Sequence, residues 1–214
     1  MKNVITILFL FLFSVANASG EKFQQAMGKT LAGYADCQSE EDFEMLSMKF
    51  KRIADAEPEE WLPLYYQAHC LIIANFNSKS EAIDRDMNLD QAQEAIDKMI
   101  VLVPDESEVM ALQGMLYTSR LVIDPQNRGQ EFGGKSAMAI GKALGMNPNN
   151  PRAHYLNLSN EMGTANFFGQ DPSTVCDKAK VLLEKWDDMN LVESAIHPNW
   201  GKGQLQGIAN ACDQ

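Results

Sequence analysis

Apolar residues in this chain fall at helical offsets ahead of a series of prolines. Counting eight, five, four and two positions back from Pro58 gives Phe50, Ile53, Ala54 and Ala56; the same offsets give Ile96, Met99, Ile100 and Leu102 before Pro104, and Ile140, Ala143, Leu144 and Met146 before Pro148. Spacings of three and four put each set on one helix face, a stripe that must be buried against a neighbour. Pro58, Pro104, Pro148 and Pro198 follow one another at intervals of 46, 44 and 50 residues, a long period of the kind that marks a helical repeat array. Ten positions after Pro58 and Pro104 stand Ala68 and Gly114, small enough for two helices to approach closely; after Pro148 the same offset gives Leu158.

Local signals agree with an all-α chain. Asn150-Pro151 and Asp171-Pro172 each place a capping residue before a proline at the first helical position, where the missing N–H costs nothing. Pro63 belongs to a first turn for the same reason. No run alternates as a strand would, and "MIVLVP" at 99 to 104 reads as the buried end of a helix beginning near Asp90.

The N-terminus changes the picture of where such a chain works. Residues 1–18 carry Lys2, an apolar run from Val4 to Val15 and a closing Ala16-Asn17-Ala18, the layout of a cleaved secretory signal whose apolar part is too short to span a bilayer. Cleavage leaves a single domain over 19–214 with no stable membrane anchor, exported to the periplasm or secreted. The formal net charge of −11 becomes −12 once Lys2 is lost, and an acidic surface without a Lys/Arg cluster argues against nucleic acid and anionic membranes as partners. Cys37, Cys70, Cys176 and Cys212 make an even count for an oxidising compartment, at spacings of 33, 106 and 36 that fit no metal or redox motif. Three pairings are possible from the count alone.

"AIGKALGMNPNNPRAHYL" at 139 to 156 and "PDESEVMALQGMLY" at 104 to 117 resemble the second-helix ending and first-helix beginning of tetratricopeptide-repeat proteins, with Gly114 and Tyr117 at that family's small and aromatic positions. The spacing exceeds the family's 34 residues, and the extra length falls at 77 to 88, 123 to 132 and 168 to 172. "GYADCQSEEDFE", "GTANFFGQD" and "HPNWGK" are also similar to small uncharacterised exported proteins of the Bacteroidetes. The resemblance implies an α-solenoid, a superhelix of four helical hairpins from about 21 to 190, with a closing helix over roughly 199 to 212. In that arrangement Cys37 pairs with Cys70 and Cys176 with Cys212. It also implies that first helices line a concave groove for a protein or peptide ligand, and it assigns Tyr65, His69, Met115, Thr118, Tyr155 and Ser159 to that groove. The basic residues with which some members clamp a terminal carboxylate are missing from these positions.

Two motifs offer other chemistry. "GQEFGGKS" at 129 to 136 has the spacing of a phosphate-cradling loop, with Lys135 and Ser136 in the working positions. Such a loop follows a strand, and here a helical segment and a turn at Asp124-Pro125 precede it. "DMNLDQAQEAID" at 86 to 97 sets Asp86, Asn88 and Asp90 as a calcium loop would, but has Gln91 where that loop needs Gly and Asp97 where it needs Glu. His69, His154 and His197 show no metal-binding spacing, no Ser or Cys is marked as a nucleophile, and the twelve Met residues suit core filling. The expectation is a non-enzymatic binding or assembly scaffold without catalytic residues, cofactor or metal; a nucleotide-binding segment at 129–136 and a calcium-responsive one at 86–97 are the alternatives.

Overall fold

The computed structural model describes residues 20–189 and 194–213. The expected signal over 1–18 lies outside them. The described residues are all-helical. Helix α1 (20–32) runs into a short 3-10 turn, Gly33–Asp36, followed by α2 (Glu40–Ala56), α3 (Trp61–Asn77), α4 (Ala82–Leu102), α5 (Ser107–Leu121), α6 (Pro125–Met146), α7 (Pro151–Phe168), α8 (Ser173–Met189) and α9 (Lys202–Asn210). Successive helices pair, and α3, α5 and α7 stand side by side with α9 closing against α7 and α8.

The caps explain where the helices begin. Ser39 and Asp42 form a reciprocal box at α2: the Ser39 hydroxyl accepts from the Asp42 N–H, and the Asp42 carboxylate accepts from the Ser39 N–H. Asp124 caps α6 and Asn150 caps α7, each ahead of a proline at the first helical position. The stripes are buried in their upstream part: Phe50, Ala54, Ile96, Met99, Ile140 and Ala143 lie in the interior, Ile53, Ile100, Leu144 and Met146 are half-buried, and Ala56 and Leu102, two positions before their prolines, are exposed at the helix ends. Gly114 sits where α5 meets α6, and a Cβ there would come within 2.6 Å of Ile140 Cγ1. Only a hydrogen fits at that crossing.

Two expectations are corrected, the start of a helix near Asp90 and the pairing of Cys37 with Cys70, and the extra length between paired helices, which longer helices or loops could have absorbed, is accounted for. The extra residues at 77 to 88 and 123 to 132 are absorbed mostly by longer second helices: α4 starts at Ala82, well before Asp90, and α6 starts at Pro125. Cys176 and Cys212 form a disulfide that ties the start of α8 to the end of α9. Cys37 and Cys70 are free thiols. The 3-10 turn directs the Cys37 thiol to the Gly33 carbonyl at 3.3 Å, and the Cys70 thiol donates instead to the Tyr34 hydroxyl at 3.1 Å. Burial pushes the Cys70 thiol up to about 12, so it stays protonated.

Buried polar groups lock α5 to α7. Arg152 and Glu108 are almost wholly buried and paired at 2.6 Å, while Asn150 donates to the other Glu108 oxygen at 2.8 Å and to Ser107 at 2.9 Å. A second small core, with Leu158, Val175, Ala179, Trp186, Leu205 and Ala209, joins α7, α8 and α9.

Candidate functional site

Helix α3 carries the longest buried face, and its residues at offsets of four and seven set the site. His69, Ile73 and Phe76 face a cleft of about 220 Å³ that is also lined by Met115 from α5, Tyr155 and Ser159 from α7, and Trp200 and Gln204 from the C-terminal segment. None of these residues carries a formal charge at neutral pH. Nearby charges are paired with one another at the surface, Lys178 with Glu161 and Lys202 with Asp187, each at 2.7 Å.

Beneath the cleft lies an aromatic floor. Tyr65 is fully buried, and its hydroxyl accepts from the Trp200 indole N–H at 3.0 Å. Tyr66 packs edge-on against Tyr65 with ring centres 5.4 Å apart, stacks on Phe50 and donates to the Ile196 carbonyl at 3.1 Å. The segment before α9 is therefore pinned to α3 at two points. Trp200 lies 4.9 Å from the His69 ring at a tilt of 32°, and edge-on to Tyr155 at 6.1 Å. The next residue, Gly201, turns the chain into α9 with φ at +107°, a conformation that disfavours any side chain, and a Cβ there would meet Trp186 at 2.9 Å.

His69 is the polar centre of this apolar site. Only 5% of it is exposed, and burial pushes its imidazole down to about 3, so the ring is neutral. Nδ1 lies 2.9 Å from the Tyr34 hydroxyl, which also accepts from Cys70. Nε2 has no hydrogen-bond partner among the described residues. Burial raises the Tyr155 hydroxyl against the opposing effect of its hydrogen bond to Ser159.

Of the six groove residues expected from the sequence, His69, Met115, Tyr155 and Ser159 line the cleft. Tyr65 lies under it. Thr118 is engaged elsewhere: it donates to Asn160 at 2.9 Å and lies 2.9 Å from Ser136, knitting α5, α6 and α7 together. Ile73 and Phe76 were legible as the helical continuation of His69. Trp200 and Gln204 were not: Trp200 precedes α9 in a stretch without periodicity, and Gln204 is a polar residue of α9 that no apolar spacing singles out.

The two alternative motifs take other roles. Residues 129–136 lie inside α6, where backbone N–H groups serve the helix. Lys135 pairs with Glu131 at 2.6 Å and lies over the Phe132 ring, and the Ser136 hydroxyl is buried, donating to the Gly114 carbonyl at 3.0 Å. No phosphate cradle forms. Residues 86–97 lie inside α4, and two of their carboxylates face arginines: Asp86 binds Arg128 at 2.7 Å and Arg120 at 3.3 Å, and Asp90 binds Arg120 at 2.6 Å. The hydrogen bond from Arg128, with Arg120 beside it, holds the Asp86 carboxyl below its ordinary value. No group of three or more metal-ligating side chains converges among the described residues.

A solved structure with the same architecture is that of the HusA haemophore from Porphyromonas gingivalis. The two chains are 30% identical, the match covers 89% of this chain and 92% of that one, and the TM-score is 0.76. This chain belongs to the family of the HusA haemophore. No protein-family model matches the chain, and no curated protein matches it. The resemblance to exported Bacteroidetes proteins thus has a solved counterpart, whereas the tetratricopeptide-repeat reading is carried by the helical stack and not by a matched family. Among the described residues no helix is long and apolar enough to cross a membrane.

Proposed function

We propose that the protein is an exported, non-catalytic carrier of a haem-like tetrapyrrole, held in the cleft between α3, α5, α7 and the segment that carries Trp200. The observation that carries this reading is the composition of the cleft: Ile73, Phe76, Met115, Tyr155 and Trp200 around a neutral imidazole, without a charged lining residue. Such a lining suits a large, flat, apolar ring system. Membership in the family of a haemophore supports the same ligand class. The apolar leader over 1–18 and the Cys176–Cys212 disulfide support export.

A cleft of about 220 Å³ is smaller than the roughly 300–1,000 Å³ typical of a ligand-enclosing pocket. The ring system is therefore gripped along one part of its face, with its carboxylates left in water, and Trp200 shifts to admit it. A flat ring also fits better than an extended peptide, because Trp200 and Ile196 already engage the α3 residues that an open solenoid would present to a peptide.

Titration of ferric haem into the oxidised protein lacking residues 1–18, followed by the Soret band and by tryptophan quenching, tests this. Saturable one-to-one binding that weakens in Tyr155→Ala and Trp200→Ala is expected. Unsaturable binding, or binding indifferent to both substitutions, would overturn the reading.

A further inference from the structure

We propose that residues 194–201 form a pH-operated clasp beside the cleft, opened by protonation of His197, and, on the tetrapyrrole reading, that its opening lets the ligand leave. The segment is docked on α3 at two points: the Ile196 carbonyl accepts from the Tyr66 hydroxyl at 3.1 Å, and the Trp200 indole donates to the Tyr65 hydroxyl at 3.0 Å. His197 lies between them. Its ring is half-buried and edge-on to Trp61, with centres 5.6 Å apart, and its Nδ1 is buried without a hydrogen-bond partner among the described residues.

A neutral ring suits this place and a charged one does not. The imidazolium carries a donor on both nitrogens, and Nδ1–H would meet no acceptor. Two charged groups bear on it from neighbouring elements. Glu106, the cap of α5, favours the proton, but its carboxylate accepts from the Glu108 N–H at 3.0 Å and makes no bond to Nδ1. Arg152, in the first turn of α7, opposes the proton, even with its own charge paired to Glu108. From α3 come Trp61, which does not titrate, and Tyr65 and Tyr66, whose hydroxyls burial keeps protonated. Residues 194–201 hold no other titratable side chain. Burial outweighs the rest and pushes the docked imidazole below its ordinary 6.5.

The sign follows from linkage. Released into water, His197 returns to its ordinary value, so above pH 6.5 the docked and open forms bind protons alike and pH has no effect. Below it, the ratio of open to docked forms rises by about tenfold per pH unit until the docked ring itself titrates. Opening breaks both hydrogen bonds to α3 and withdraws Trp200 from the cleft wall. The chain beyond stays in place: Leu205 and Ala209 sit in the small core, and the Cys176–Cys212 disulfide ties α9 to α8. Gly201, with φ at +107°, is the joint between the clasp and α9. His69 is not the trigger, because it refuses its proton until about pH 3.

The test follows exchange of the Trp200 indole N–H in deuterated water from pH 7 to pH 5. It uses the ligand-free parent, His197→Phe and His197→Gln, each rate divided by that of free indole at the same pH, with circular dichroism to confirm folding. Haem release is followed over the same range as transfer of ferric haem to an excess of haem-free globin. Relative to the variants, both processes in the parent should speed up by as much as about tenfold for each pH unit below 6.5. His69→Gln should keep the parent's response. A response that persists in both folded His197 variants, or none in the parent, would overturn the clasp. Exchange that responds while haem leaves parent and variants in a constant ratio would overturn the release step. Failure to bind haem at any pH, with the exchange response intact, would support the clasp and overturn the tetrapyrrole reading.

Discussion

Acidification offers a direct measure of how deeply His69 is buried. Its imidazole has an ordinary value of 6.5 and is pushed down to about 3 in the folded chain by burial. Below pH 6.5 the unfolded chain takes up a proton that the folded chain refuses until about pH 3, so the unfolded state is favoured as pH falls through that interval. The contribution is fully present above pH 6.5 and lost progressively below it. At pH 5 the loss is about 2 kcal/mol, from about 1.4 kcal/mol for each of roughly 1.5 pH units. His69→Gln removes the titrating group while leaving an amide oxygen that can accept from Tyr34. Urea unfolding at pH 7 and pH 5 should show the parent losing about 2 kcal/mol more than the variant over this range; other titrating groups, such as the half-buried His197, are common to both proteins and cancel. Equal losses in the two proteins would refute the burial argument, and with it the claim that the cleft holds a neutral imidazole at every pH between.

Further outcomes follow from the packing. Arg152→Met leaves the buried Glu108 carboxylate without its cationic partner, with only Asn150 still donating to it, and should cost about 3–5 kcal/mol, whereas Arg152→Met combined with Glu108→Leu should recover most of the loss; thermal unfolding of the three proteins checks this. Replacing Cys176 and Cys212 by Ser opens a loop whose ends are 36 residues apart and should cost about 3–4 kcal/mol, read as a lower urea midpoint. Thiol titration of the native protein should leave Cys70 unreacted, and titration in denaturant should count two thiols; a count of zero would mean that Cys37 and Cys70 are joined.

Much of the helical stack was legible because burial imposes a period. The stripes before Pro58, Pro104 and Pro148 each mark a face that has to meet a neighbour, and Gly114 marks a crossing too close for a side chain. The starts of α4 and α6 were harder to see. The first turn of α6 is polar, with Gln126, Asn127 and Arg128, and that of α4 has Asp84 and Arg85 beside an exposed Ile83, so no apolar spacing distinguishes helix from loop. The first cysteine pairing failed on a matter of one turn: helix packing brings Cys37 and Cys70 toward the same region, but the 3-10 turn at 33–36 and the Tyr34 ring decide what each sulfur meets. The cleft was half visible. Residues on α3, α5 and α7 follow from helical position, while Trp200 reaches the site through a non-repeating segment fixed by two isolated hydrogen bonds to α3.

The most direct measurement of the central claim is a map of where the ligand sits. Amide resonances of the isotopically labelled protein, recorded with and without ferric haem, would report proximity to the paramagnetic iron. Binding in the cleft predicts selective broadening around His69 to Phe76, Tyr155 to Ser159 and Trp200 to Gln204, with the outer faces of α2 and α8 unaffected. Broadening centred elsewhere, or spread evenly over the surface, would contradict it.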